Sequence, residues 1–196
     1  MFVKRHFVLL FVFLIFAGVM TACAPAGLIG TEMSEPFPAP DFTLAYADGR
    51  DISISDFQDK IVLLYFGYTF CPDVCPSTLL DLKRALNELG DKADDVQVIM
   101  VSVDPERDTP EIVAEYATHF HPTFIGLSGT EDEIAQAAGL YGIYYEAHEG
   151  TAESGYLVDH TASVILIDKA GNFRATYSFG TTPEEFVHDL QMLLKE

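Results

Sequence analysis

Basic residues are scarce in this sequence. Eleven Lys and Arg stand against 30 Asp and Glu, for a formal charge of −19, and the only bases before residue 23 are Lys4 and Arg5. A form beginning at residue 23 has nine bases against 30 acids and carries −21. Such a surface repels phosphate backbones and offers no basic stripe, so nucleic acid is excluded as a partner. Internal repeats and low-complexity tracts are also missing, which excludes a repeat array. With 49% hydrophobic residues over 196 positions the chain is not disordered and buries one core of ordinary size.

The chain also lacks an apolar run of comfortable membrane-spanning length. The longest, residues 7–20 (FVLLFVFLIFAGVM), falls short of the ~20 residues a spanning helix needs. Lys4 and Arg5 precede it and the small residues Thr21 and Ala22 follow, the layout of a secretory signal with its cleavage site. An uncleaved membrane anchor is the alternative. Met20-Thr21-Ala22-Cys23 resembles a bacterial lipobox, with Met20 where that motif favours Leu. Cleavage there leaves Cys23 N-terminal and thioether-linked to a diacylglycerol, and two or more acyl chains anchor stably where one does not. The expected organisation is a lipoprotein signal over 1–22, a lipidated tether over 23–36 with no helical or strand period, and a folded domain over 37–196. This places the domain on the extracytoplasmic face of a bacterial membrane, in the periplasm or at the cell surface.

Cysteine is rare. Three is an odd count for an exported protein, and lipidation of Cys23 resolves it. Cys71 and Cys75 then carry all the thiol chemistry of the domain. A disulfide across so short a loop removes little chain entropy, so a purely structural bridge is the weaker reading.

The domain alternates strand and helix patterns. Residues 41–54 hold two short alternating runs around Ala47-Asp48-Gly49-Arg50, a hairpin signature. Residues 61–67 (IVLLYFG) and 96–103 (VQVIMVSV) are continuous apolar runs expected of strands covered on both faces. Helical spacing over 76–89 stops at Gly90, and Asp108 or Thr109 before Pro110 opens a helix over 111–119. A third helix is expected over 131–138, a strand over 141–145, a polar loop over 146–155, a hairpin of 164–168 with 173–179, and a terminal helix over 183–194. This βαβ, helix, ββα order is the thioredoxin-like α/β plan: a central, mainly parallel sheet with an antiparallel C-terminal hairpin and an N-terminal β-hairpin extension. Cys71 and Cys75 follow the first central strand, with Cys75 expected at the helix N-cap, where free N–H groups favour a thiolate, and both sulfurs partly exposed. The C-x-x-x-C spacing alone is a moderate signal.

Three separated motifs sharpen this. The segment Gly67-Tyr68-Thr69-Phe70-Cys71-Pro72-Asp73-Val74-Cys75-Pro76, the run VSVDPERDTP over 101–110 continuing through His121-Pro122 to Thr130, and Tyr156-Leu157-Val158-Asp159-His160-Thr161 together resemble the Sco/SenC family of membrane-tethered copper proteins over about residues 37–196. The resemblance implies copper bound by Cys71, Cys75 and His160, and delivery of that copper to the binuclear site of cytochrome c oxidase subunit II. The residue types agree, since two thiolates suit Cu(I) and an added imidazole gives a set that also holds Cu(II) or Zn(II). Three ligands leave a position open for handing the metal on. His160-Thr161-Ala162-Ser163-Val164 has no proline where thioredoxins carry a cis-proline. Asp159 is either a partner for the ligand histidine or a structural acid. His119 and His121 read as helix-end histidines, His148 and His188 as solvated ones. Tyr65, Phe66, Tyr68 and Phe70 read chiefly as core, with Tyr68 and Phe70 candidates for walling the site; Asp104-Pro105 either shapes it or caps a turn. The competing function is an extracytoplasmic thiol–disulfide oxidoreductase in which Cys71 and Cys75 keep an acceptor's cysteines reduced. His160 separates the two, because dithiol exchange does not need it.

Overall fold

The computed structural model describes residues 27–150 and 155–196; the leader, the lipobox-like segment and Cys23 lie outside them. In chain order the elements are β1 (Thr31–Pro38), β2 (Thr43–Ala45), β3 (Asp51–Ser53), β4 (Ile61–Gly67), α1 (Val74–Leu89), β5 (Val96–Ser102), α2 (Pro110–Phe120), β6 (Ile125–Leu127), α3 (Glu131–Leu140), β7 (Tyr145–His148), β8 (Leu157–His160), β9 (Ser163–Ile167), β10 (Asn172–Ser178) and α4 (Pro183–Leu193).

Every residue of β4 and β5 is buried, as their unbroken apolar runs require, and the two pair in parallel from Ile61 beside Val96 to Gly67 beside Ser102. β6 extends this parallel core on the far side of β5. On the other side β9 lies antiparallel to β4, β10 antiparallel to β9, and β1 closes the edge, giving the order β1-β10-β9-β4-β5-β6. The β2–β3 hairpin is the expected N-terminal extension, and an Ala45–Ser128 bridge ties it to the end of β6. This is the thioredoxin-like arrangement, with the loops after β4, β5 and β6 gathered at the carboxyl ends of the parallel strands, where sites of open α/β sheets form.

The helices start and seat as their sequences dictate. Thr109, Thr130 and Thr182 cap α2, α3 and α4, with Pro110 and Pro183 in the first turn of α2 and α4. In α1, Cys75, Leu79, Leu82, Ala85, Leu86 and Leu89 form one buried stripe, and Gly90 with φ +60° ends it. α2 lies so close to β6 that a Cβ at Gly126 would fall 2.2 Å from the Val113 carbonyl oxygen, so only glycine fits there.

Three expectations are corrected. The stretch to residue 36 is not structureless: from Thr31 it forms edge strand β1 on β10. Its exposed, proline-bearing sequence has no strand period because β10's open backbone edge, rather than a buried face, holds it. The carboxylate of Asp189 clamps the entry to this strand, accepting from Ile29 N at 2.8 and 2.9 Å and from Gly30 N at 2.9 Å. The strand expected over 141–145 begins only at Tyr145. α3 runs on to Leu140, Gly142 turns at φ +66°, and Tyr141 enters the core with its hydroxyl donating to Pro40 O at 2.6 Å. The polar stretch from Glu146 is not all loop, since Tyr145–His148 pairs antiparallel with Leu157–His160. Among the described residues no helix is long and apolar enough to cross a membrane.

Candidate metal centre

Backbone and buried polar groups hold the loop after β4. Val103 N donates to Gly67 O at 2.8 Å, tying the ends of β4 and β5 together. The fully buried Asp108 then accepts from Thr69 N at 2.9 Å, Thr69 Oγ1 at 2.5 Å and Ser102 Oγ at 2.6 Å, which fixes the chain two residues before Cys71. A Cβ at Gly67 would lie 2.7 Å from Tyr65 Cε1 and 3.0 Å from Cys75 Sγ, so β4 ends on a bare residue against which the sulfur packs.

Asp73, not Cys75, is the N-cap of α1, and it makes no side-chain cap. Cys75 sits inside the first turn, buried to 0% exposure, while Cys71 is half-buried. The expected placement is therefore inverted. The sulfur at the helix N-terminus is that of Cys71, which accepts from Cys75 N at 3.4 Å. Its thiol is held down to about 3, first by the hydrogen bond from the Cys75 thiol, then, against the opposing effect of burial, by His160 and by the N–H groups of Asp73 and Cys75. Cys75 is pushed well above the ordinary thiol range because its proton is bonded to Cys71 and burial disfavours a second anion. The pair is a thiolate and a thiol sharing one proton.

His160, the last residue of β8, brings Nε2 to 3.4 Å from Cys75 Sγ. Its Nδ1 lies 3.3 Å from Thr161 O, which sets the ring with Nε2 facing the sulfurs. Tyr65 and Tyr68 meet the imidazole edge-on, with centroids at 6.0 and 5.9 Å. The ligand atoms of Cys71, Cys75 and His160 lie within 4.8 Å of one another, and among the described residues this is the one group of three or more His, Cys, Asp or Glu able to hold a metal ion. Two sulfurs and one nitrogen form a soft, incomplete donor set suited to Cu(I) or, with a fourth ligand, to Zn(II) or Cu(II).

The remaining candidates fall elsewhere. Asp159 is exposed and pairs with His148 Nε2 at 3.1 Å, so it does not orient His160. His121 Nδ1 lies 2.9 Å from Thr123 Oγ1, and His188 Nδ1 lies 2.8 Å from Asp189 Oδ1. Phe70 is 56% exposed and does not wall the cluster. Asp104 is buried and accepts from Arg107 Nε and the Tyr156 hydroxyl, both at 2.5 Å. The Arg107 guanidinium lies 3.6 Å from the Tyr156 ring centroid and 4.8 Å from that of Phe70. This locks the loop after β5 to the one before β8. A cleft of about 640 Å³ lies beside that lock between Asp104, Glu131 and Glu146, and none of the three cluster residues lines it.

The family model described as SCO1/SenC matches residues 31–195. The chain belongs to the SCO1/SenC family. The mitochondrial protein SCO2 homolog of Bos taurus is 37% identical over 153 residues, covering 77% of this chain and 58% of its own length. The mitochondrial protein SCO1 homolog 1 of Arabidopsis thaliana is 40% identical over 137 residues, covering 69% of this chain and 41% of its own. The chain thus spans about half the length of these relatives. Among solved structures, apo Sco1 of Thermus thermophilus superposes with a TM-score of 0.77 at 45% identity, covering 87% of this chain and 99% of that one. ScoI of Bradyrhizobium japonicum with copper bound does so with a TM-score of 0.72 at 38% identity, covering 80% and 99%. The family model begins at Thr31, the residue at which β1 joins the sheet.

Sequence reasoning missed three supports of the centre. Asp108 reads from the sequence only as a helix cap, although VSVDPERDTP sets three acids and an arginine between strand and helix, a density of charge a plain turn does not need. Arg107 was not singled out. Tyr65 was read as core.

Proposed function

We propose that this SCO1/SenC protein binds copper through Cys71, Cys75 and His160 and passes it to an acceptor outside the cytoplasm, the binuclear copper site of cytochrome c oxidase subunit II. The observation that carries the reading is the convergence of two sulfurs and an imidazole nitrogen within 4.8 Å. The relatives of Bradyrhizobium japonicum and Arabidopsis thaliana solved with copper bound support the choice of metal. The acceptor follows from the family resemblance. A lipid on Cys23 would keep the domain at the membrane that carries that acceptor.

The chain's own groups suit uptake and release. Cys71 is already ionised, so a soft cation meets one thiolate at once and displaces only the proton held between the sulfurs. Cys75 is closed off and Cys71 is half-exposed, so an incoming acceptor ligand reaches the metal on the Cys71 side. The open coordination position lets that ligand bind before a sulfur leaves, and transfer proceeds by ligand exchange without free ion.

One observation favours the second reading, thiol–disulfide exchange. An accessible Cys71 thiolate beside a buried Cys75 thiol matches a nucleophile with its resolving partner. Cys71 would attack an acceptor disulfide and Cys75 would release the mixed disulfide, so that two electrons pass to the acceptor's sulfurs and Cys71 and Cys75 end oxidised. His160→Ala separates the readings. Under copper delivery, Cu(II) affinity collapses, Cu(I) affinity suffers less, and cells lose oxidase assembly while the purified variant still exchanges disulfides. Full oxidase assembly with this variant moves the assignment to the oxidoreductase.

A further inference from the structure

One buried hydroxyl beside the cluster has no partner in hydrogen-bonding geometry. Tyr65 is 0% exposed, yet its Oη has no hydrogen-bond partner. Two other buried phenols are satisfied: Tyr141 donates to Pro40 O at 2.6 Å and Tyr177 to Asp189 Oδ2 at 3.0 Å. A buried donor left without an acceptor destabilises the fold, and phenylalanine, which occupies the next position, would avoid that. The hydroxyl needs a reason.

Its surroundings give one. The Tyr65 ring and the Cys75 sulfur crowd the same bare patch of backbone, since a Cβ built on Gly67 would lie 2.7 Å from Tyr65 Cε1, 3.4 Å from Cζ and 3.0 Å from Cys75 Sγ. The ring also meets the His160 imidazole edge-on. The polar side chains that interact with the hydroxyl are Cys75 and Thr78; neither is aligned with it in hydrogen-bonding geometry, and the Thr78 hydroxyl already donates to Val74 O at 2.9 Å. A thiol sulfur is a weak acceptor, whereas a metal-bound thiolate sulfur keeps lone pairs and negative charge and accepts well.

We propose that Tyr65 is a positioning residue of this centre, whose hydroxyl is left unsatisfied in the metal-free protein and donates to Cys75 Sγ when that sulfur is a metal-bound thiolate. The inference rests on the reading of Cys75 as a copper ligand. It makes the fold less stable empty and better satisfied when loaded, a bias toward holding the metal until an acceptor takes it. Because the bond exists only in the loaded state, its loss weakens binding instead of shifting both states together.

Tyr65→Phe keeps the ring and removes the hydroxyl. For the reduced, metal-free proteins the variant is expected to unfold at higher urea concentration than the wild type. Its Cu(I) affinity, measured by competition with a chromophoric chelator, is expected to be about tenfold lower. The sulfur-to-Cu(II) charge-transfer band is expected to move to longer wavelength, because a hydrogen bond draws charge from the sulfur and its loss raises the donor level. A merely structural role moves none of that band. Equal affinity and an unmoved band in a variant that binds copper overturn the proposal, and so does a variant less stable than wild type when empty, which would mean the hydroxyl was already bonded. A wild-type protein that binds no copper overturns the underlying reading and this inference with it.

Discussion

Asp108→Ala is the perturbation that best tests how the thiol loop is held. Asp108 is fully buried and its carboxylate accepts three hydrogen bonds, from Thr69 N, Thr69 Oγ1 and Ser102 Oγ. Alanine removes all three acceptors. The two hydroxyls can rotate toward other acceptors, but the Thr69 N–H is fixed by the chain and would stay unsatisfied, at a cost of about 1–3 kcal/mol. Removing the carboxylate also lifts the desolvation that its burial imposed, which offsets part of the loss. The net destabilisation should be about 2 kcal/mol, read as a fall of about 1 M in the urea midpoint for a domain of this size. Because Thr69 is two residues from Cys71, the freed loop no longer holds the Cys71 sulfur on the first turn of α1, and copper should dissociate faster. Asp108→Asn retains one oxygen for the Thr69 N–H and should lose roughly half as much. Equilibrium urea unfolding of the reduced proteins with stopped-flow copper release measures both effects. A loss under about 0.5 kcal/mol for alanine, or identical losses for alanine and asparagine, would refute the reasoning.

The thiol pair sets a pH dependence. Cys71 is lowered in the folded state, so its contribution to stability is complete above the unfolded thiol value and is lost as pH falls toward about 3; Cys75 is raised, so its contribution is present below that value and is lost as pH rises above it. Iodoacetamide should accordingly label Cys71 at pH 5 and spare the buried Cys75, and mass mapping showing equal labelling would contradict the asymmetry. Cu(I) loading near pH 7 should release about one proton per ion, because one of the two thiols is already ionised; a release of two in weakly buffered solution with a pH indicator would deny the preformed thiolate. Cys23→Ser should leave the domain folded but free it from the membrane or block its processing, and fractionation that finds it bound and processed as before would count against lipidation.

The parts of this molecule written in the sequence are those governed by a repeating local rule. β4 and β5 stand out because both faces are covered and every residue of IVLLYFG and VQVIMVS is apolar or enclosed. The helix starts at Thr109, Thr130 and Thr182 follow from capping chemistry. Cys71 and Cys75 were legible from cysteine count and from their place after the first central strand, but His160 only through motif resemblance, since no spacing rule links a histidine to a cysteine 85 residues away; the fold brings it within 3.4 Å of Cys75. What could not be read depends on a partner elsewhere in the chain. β1 is a strand because β10 leaves an edge, and β7 because β8 returns beside it. The exchange of roles between the sulfurs turns on α1 beginning at Val74, two residues before the helical spacing suggested. Asp108, Arg107 and Tyr65 carry no periodic signal, because a buried polar group is placed by the atoms around it.

The central claim is that two reduced sulfurs and one imidazole make a copper site. Copper content after gel filtration tests it most directly, on the reduced protein and on the same protein with Cys71 and Cys75 oxidised to a disulfide. A disulfide has no thiolate to donate. About one copper per reduced chain, none on the oxidised form and full recovery after re-reduction are the predicted result; equal loading of the two forms would contradict the site.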